Sequence, residues 1–216
     1  LGSGSSNGVD TRYFNLTPDL QESSKVFKTK YGLDDCFIFT FIGRIVKDKG
    51  IEELIDAYAR LSSEVENVRL VIVGWEEPLT DPISNRSQEI LKNNSGIVYA
   101  GFLDDIRPVL GVSDCLVLPS YREGFPNVVM QAACMSVPSI VSNINGCNEI
   151  IQDGSNGLIV EPKNTEDLYY AMKRVAYDRG LLIDLASKSR GLVVEKYCRE
   201  KMQKLILAEY QSLLAG

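Results

Sequence analysis

The stretch Asp114–Ser142, DCLVLPSYREGFPNVVMQAACMSVPSIVS, decides the fold. It opens on an apolar run, Asp114 to Pro119, too short for a helix and lacking the polar alternation of a sheet with one wet face. A polar loop follows, then a helical pattern, then a second short apolar run from Pro138 to Ser142. Strand, loop, helix, strand with no polar face predicts a parallel unit covered on both sides. Pro126 is expected in the first helical turn, where its missing amide hydrogen costs nothing. Val128, Val129, Ala132 and Ala133 then read as core.

The same grammar recurs outward from this stretch. Phe37–Gly43 (FIFTFIG) is another short run, and the helix after it places Ile51, Leu54, Ile55, Tyr58 and Leu61 at a spacing of about 3.6 residues. Further runs are Arg69–Gly74, Gly96–Ala100 and Gly157–Val160, with a helix predicted over about Asn85 to Lys92. The class is α/β, a Rossmann-like doubly wound parallel sheet of about six strands. A polar helix is predicted over Leu20–Lys30, and from Asn164, which reads as a cap, the pattern is helix only. Helices are expected from that cap, over Leu181–Leu192 and over Arg199–Leu214. The last carries Met202, Leu205, Ile206, Leu207, Tyr210, Leu213 and Leu214, a stripe that must be buried against something, within this chain or outside it. The division predicted is a tag or linker approach at 1–15, a Rossmann-like domain at 16–195, and a terminal helix at 196–216. Within the first part, Leu1–Gly8 is Gly/Ser-rich and Asn7–Asp10 (NGVD) reads as a turn.

Composition narrows the function. The chain has 216 residues, 44% hydrophobic, with a net charge of −6 and no basic block, which argues against a nucleic-acid partner. No apolar run approaches the roughly 18 residues of a membrane helix. There is no histidine, so His-dependent triads, His general bases and mixed zinc sites are excluded, and no metal is expected. Cys36, Cys115, Cys134, Cys147 and Cys198 form an odd set without a CxxC pair; they read as buried thiols in a reducing, cytoplasmic compartment.

In an open parallel sheet, ligands bind beyond the carboxyl ends of the strands, and each notable loop here falls there. In Gly43–Gly50 (GRIVKDKG), Arg44 and Lys49 bracket a loop that leads into a helix, which suits a diphosphate; solvated loop charges are the plainer reading. The loop is neither a Walker motif nor GxGxxG. After Pro119, Glu123 precedes a helix and Gln131 follows eight positions later, about 12 Å on if wholly helical. A carboxylate and an amide so spaced suit two diols of an extended ligand; a helix-dipole charge and a surface helix former explain the same letters. Gly124 lets backbone approach a ligand. Near Tyr99–Asp105, backbone can read a base edge with Phe102 or Leu103 over its ring, although core packing is the simpler role for Tyr99 and Phe102. Trp75 can flank a pocket, and Glu149, in a Gly-rich turn with Gly146, is offered either as an orienting partner for Arg44 or as part of an ordinary capped turn.

The order of these motifs resembles the carboxyl-terminal, donor-binding domain of GT-B fold glycosyltransferases, specifically glycosyltransferase family 4, retaining enzymes that use nucleotide-diphosphate sugars. NGVD followed by RYF resembles the approach to that domain, GRIVKDKG its phosphate loop, and Ser113–Val160 its signature region. The resemblance implies Gly43, Arg44 and Lys49 at the diphosphate and Phe102 and Leu103 at the base. It implies Glu123 at the transferred sugar, Gly124, Phe125, Pro126 and Asn127 along sugar and phosphate, and Gln131 at the ribose. Catalytic roles fall to Glu123, Arg44 and Lys49. No cofactor is implied beyond the donor itself, a UDP- or GDP-sugar. The acceptor, a carbohydrate or lipid-linked saccharide, belongs to an amino-terminal domain expected to be missing here, so the isolated chain is expected to be nearly inactive. Polysaccharide biosynthesis in the cytoplasm, with peripheral association on the membrane's cytoplasmic face, fits the same picture. The family's pattern departs at Gln131, where glutamate is usual, at Gly74-Trp75-Glu76, where glycine, acid, glycine is usual, and at Asn145-Gly146, where two glycines are common. A non-catalytic nucleotide-sugar-binding module and a GT-B sugar-nucleotide epimerase are the alternatives.

Overall fold

The computed structural model describes residues 8–77 and 81–215. The chain runs through α1 (Pro18–Lys30), β1 (Phe37–Ile42), a 3-10 turn (Lys47–Lys49), α2 (Ile51–Glu64), β2 (Val68–Val73), α3 (Asn85–Asn93) and β3 (Ile97–Gly101). It continues with α4 (Arg107–Leu110), β4 (Cys115–Leu118), α5 (Asn127–Cys134), β5 (Ser139–Ser142), α6 (Cys147–Ile150), β6 (Gly157–Val160), α7 (Thr165–Tyr177), α8 (Arg179–Tyr197) and α9 (Arg199–Ala215). Six strands pair in parallel in the order β3-β2-β1-β4-β5-β6. The order reverses between β1 and β4, where chain growth switches from one edge of the sheet to the other.

Alternate residues of the central strands feed two apolar layers. Phe39 and Phe41 of β1 join Leu70 and Ile72 of β2 in the larger core, whereas Ile38, Val71 and Val73 join Phe27, Leu33 and Val109 on the other face. This two-sided burial is why the strands read as unbroken apolar runs. The predicted stripe of α2 is fully buried at Ile51, Leu54, Ile55, Tyr58 and Leu61. The Asn164 cap is present, its side chain accepting from Asp167 N at 3.0 Å.

Several expectations change in detail. Pro126 is the residue preceding α5 rather than part of its first turn, with extended backbone (φ −74, ψ 104), and the helix starts at Asn127. Cys115, Cys134 and Cys147 are buried free thiols as expected, but Cys36 and Cys198 are half-buried because they lie at strand and helix ends. Tyr99 and Phe102 are exposed, not core. On α9, Met202 is buried, whereas Leu205, Leu207, Tyr210, Leu213 and Leu214 are exposed. The reading of residues 1–7 as a linker lies outside the described residues, as does Asn7 of the predicted turn.

The segment from Gly8 is fastened to the body. Val9 forms a parallel bridge with Cys198 at the α8–α9 junction, through Val9 N to Tyr197 O (2.8 Å) and Arg199 N to Val9 O (2.9 Å). The guanidinium of Arg190 donates to the carbonyls of Thr11 and Phe14, each at 3.0 Å, and of Cys134. One α8 side chain therefore ties the leading segment to the end of α5.

Candidate functional site

The loops after β1 and β4 face each other at the switch point. They are joined by Tyr121 N donating to Asp48 O (2.8 Å), and Tyr121 Oη donates to Glu53 Oε1 in the first turn of α2 (2.6 Å). The turn at Gly50 has φ +67, and a Cβ there would lie 2.0 Å from Pro119 O. Only glycine permits both the conformation and the approach. This contact brings Lys49 to Glu123.

Lys49 Nζ donates to Glu123 Oε1 at 2.7 Å, and Ser120 Oγ donates to the same oxygen at 2.7 Å. The two charged side chains are only 16% and 13% exposed. Arg44, Lys49 and Glu123 share one open cleft of about 490 Å³ with Asp48, Arg122 and Gly124. The fold thus brings the two cations and Glu123 together at one cleft. A Cβ on Gly124 would meet nothing within 4 Å, so the backbone is bare toward the cleft. The amides of Gly124, Phe125, Asn127 and Val128 donate to no acceptor among the described residues. Free amides ahead of a helix are suited to an anion.

Arg44 also lines a second cavity of about 210 Å³, walled by Ile42, Gly43, Val73, Gly74, Trp75, Phe102, Leu103 and Ile106. Phe102 and Leu103 are where a flat ring can lie, and Trp75 joins them, its ring 4.9 Å from that of Phe102. Gly74 (φ +145) is pressed against β1, since a Cβ would come within 1.8 Å of Gly43 O. Arg44 does not pair with Glu149, which instead accepts from Gly146 N at 3.1 Å within its own turn. Its partner is Glu77, at 2.8 Å.

Asn127 and Gln131 do not line the Arg44–Lys49–Glu123 cleft. One turn apart on α5, they line a polar pocket of about 530 Å³ with Asp10, Phe14, Arg199 and Gln203. Phe125 stacks edge-on against Tyr197 (5.2 Å), and Pro126 is buried. Tyr197 Oη in turn donates to Glu149 O at 2.9 Å, so the end of α8 props both loops of this side. A Cβ on Gly146 would come within 2.3 Å of Gly124 O, which fixes the α6 turn against the bare backbone.

Cys147 lies near this group, and burial pushes its thiol up to about 12, with the Glu123 charge adding to the rise and Lys49 opposing it. It is a protonated packing group and no nucleophile. Among the described residues no cluster of His, Cys, Asp or Glu can hold a metal ion.

Residues 36–178 match the family of group 1 glycosyl transferases. The chain belongs to that family. As a group 1 glycosyl transferase it is 30% identical over 99% of its length to the capsular polysaccharide biosynthesis glycosyltransferase CapM of Staphylococcus aureus, covering 55% of that protein. The chain spans about half the length of the curated relatives it matches. Its fold superposes on the crystallised C-terminal domain of the group 1 glycosyl transferase LpcC from Francisella tularensis (TM-score 0.76, 25% identity, 88% of this chain, 99% of that one). It also superposes on HepE of Anabaena in complex with UDP and glucose (TM-score 0.80, 19% identity, 95% of this chain, 55% of that one), a likeness of fold. The fold is that of a GT-B glycosyltransferase C-terminal domain.

The sequence reading of this group 1 glycosyl transferase missed the carboxylates and hydroxyl that hold its cations and acid. Ser120 was visible as a neighbour of Glu123 but carried no spacing signal. Asp48, which accepts from Arg122 at 3.2 Å, and Glu77 are recognisable only once the loops are folded together. No described helix is long and apolar enough to cross a membrane.

Proposed function

We propose that the chain is the donor-binding half of a retaining glycosyltransferase of family 4, using a UDP- or GDP-sugar. The observation that carries this reading is the shared cleft of Arg44, Lys49 and Glu123 beside bare helix-start amides and an apolar slot. The HepE structure, with UDP and glucose on the same fold, supports the donor class. In this reading the slot of Phe102, Leu103 and Trp75 takes the base, Gly43, Arg44 and Lys49 meet the diphosphate, and Glu123 orients the sugar hydroxyls. Gly124, Phe125, Pro126 and Asn127 run along sugar and phosphate. Gln131 serves the ribose, which requires the donor to reach from the cleft toward the amide-lined pocket.

The transfer breaks the bond between the anomeric carbon and the phosphate oxygen, whose electron pair stays on the leaving diphosphate. The acceptor oxygen attacks from the same face and its proton passes to that phosphate. Arg44, Lys49 and the loop amides stabilise the growing charge without reorganising. Glu123 accepts from Lys49 and Ser120 and serves in this reading as an orienting group. The acceptor, a carbohydrate or lipid-linked saccharide, is held by an amino-terminal domain, in a polysaccharide pathway at the cytoplasmic face of the membrane.

Calorimetric titration with UDP-, GDP- and ADP-sugars tests the reading. One nucleotide family is expected to bind and to raise the melting temperature, as a ligand specific to the native state must. Absence of binding by all three rejects it.

A further inference from the structure

Glu77 stands where the apolar slot meets the cationic cleft. Its carboxylate accepts from Arg44 Nη1 at 2.8 Å through one oxygen and from Trp75 Nε1 at 3.4 Å through the other. Arg44 lines both cavities, so the guanidinium best placed to reach a phosphate between them already holds an anion. A carboxylate and a phosphate offer the same fork of acceptor oxygens to an arginine. The Arg44 and Glu77 side chains are 45% and 27% exposed, so solvent weakens the pair and a stronger anion can replace it. The replacement is not silent for the slot. Trp75 is half-exposed, rests on Phe102 with the rings tilted by 39°, and loses its acceptor when Glu77 leaves.

We propose that Glu77 is a resident stand-in for the donor phosphate. It holds Arg44 at the junction of slot and cleft until a diphosphate takes its place, and the exchange frees the Trp75 indole to settle on the arriving base. This rests on the nucleotide-sugar reading above. Glu77 therefore sets the donor affinity: a ligand carrying phosphates must displace it, whereas a nucleoside that only fills the slot need not. No covalent bond changes; one ion pair is traded for another.

Trp75 is the sole tryptophan of the chain, so its emission reports binding directly. The 216-residue protein and its Glu77→Gln variant are titrated with UDP, GDP and ADP and with the three corresponding nucleosides. Glutamine keeps the size and one acceptor for the indole and removes the charge. The variant is expected to bind its preferred diphosphate roughly 1.5- to 5-fold more tightly, the range of a partly exposed ion pair, with nucleoside affinity unchanged. In an Arg44→Ala background the same substitution is expected to lose most of that gain. Equal or weaker diphosphate affinity in Glu77→Gln, or an equal gain for nucleoside and diphosphate, overturns the inference while wild-type binding leaves the nucleotide-sugar reading intact. If neither protein responds to any diphosphate, that reading falls and the inference with it.

Discussion

Lys49 and Glu123 are each other's nearest counter-charge across 2.7 Å, in a setting with little water, so neither can be altered without a consequence for the other. Lys49→Ala is expected to weaken nucleoside-diphosphate binding by roughly tenfold or more, the worth of one charge-assisted hydrogen bond, and calorimetry reads it. Glu123→Gln keeps the shape and an acceptor for Ser120, so it is expected to impair a nucleotide sugar more than the matching diphosphate; equal losses reject the sugar-side role. At the far end of the sheet, Asp114 accepts from Ile38 N at 2.8 Å, yet burial outweighs that bond and raises its carboxyl above the ordinary value. A raised carboxyl favours the protonated native state, so stability is fullest below the unfolded value and declines as pH climbs through the folded one. Asp114→Asn is therefore expected to melt higher than the wild type at pH 7.5, and the difference is expected to close near pH 4, followed by thermal denaturation. Arg44, Lys49 and Glu123 could be singled out as candidates from the sequence because loops at strand ends are where an open sheet binds. It could not disclose Glu77 or Ser120 as partners, since nothing in spacing fixes which acid a flexible arginine meets.

The strands and most helices were legible because two-faced burial writes an apolar run and one-faced burial writes a 3.6-residue stripe. Element ends were less so: the start of α5 moved past Pro126 because that residue takes up extended backbone. Two glycines separate fold from function at this scale. Gly50→Ala combines a left-handed φ of +67 with a Cβ 2.0 Å from a carbonyl oxygen, and is expected to cost about 2–4 kcal/mol with a clear fall in melting temperature. Gly124→Ala meets open space and is expected to change stability by no more than about 0.5 kcal/mol, while its methyl group, projecting into the cleft, reduces donor-sugar affinity. A paired comparison of melting and binding distinguishes the two.

Across the whole molecule the parallel order and the switch between β1 and β4 follow from alternating strand and helix, and with them the place of the cleft. What the sequence withheld is long-range: Arg190 reaches Thr11 and Phe14 across more than 170 positions, and no local pattern marks a side chain that binds carbonyls. Arg190→Ala is expected to destabilise the protein by roughly 2–4 kcal/mol, because three acceptors lose a charged donor, and to expose the leading segment to proteolysis before the sheet unfolds. Gln131 was similarly opaque; its neighbours Asp10 and Gln203 come from opposite ends of the chain.

The bridge between Val9 and Cys198 is parallel. Traction on Gly8 against traction on the far end of α9 therefore runs along the paired backbones, and both of the bridging hydrogen bonds take the load together in shear instead of peeling open in turn. This short crossing is the first fastening such a pull loads, ahead of the Arg190 ties to Thr11 and Phe14, and in a single-molecule stretching trace its two bonds are expected to yield as one event.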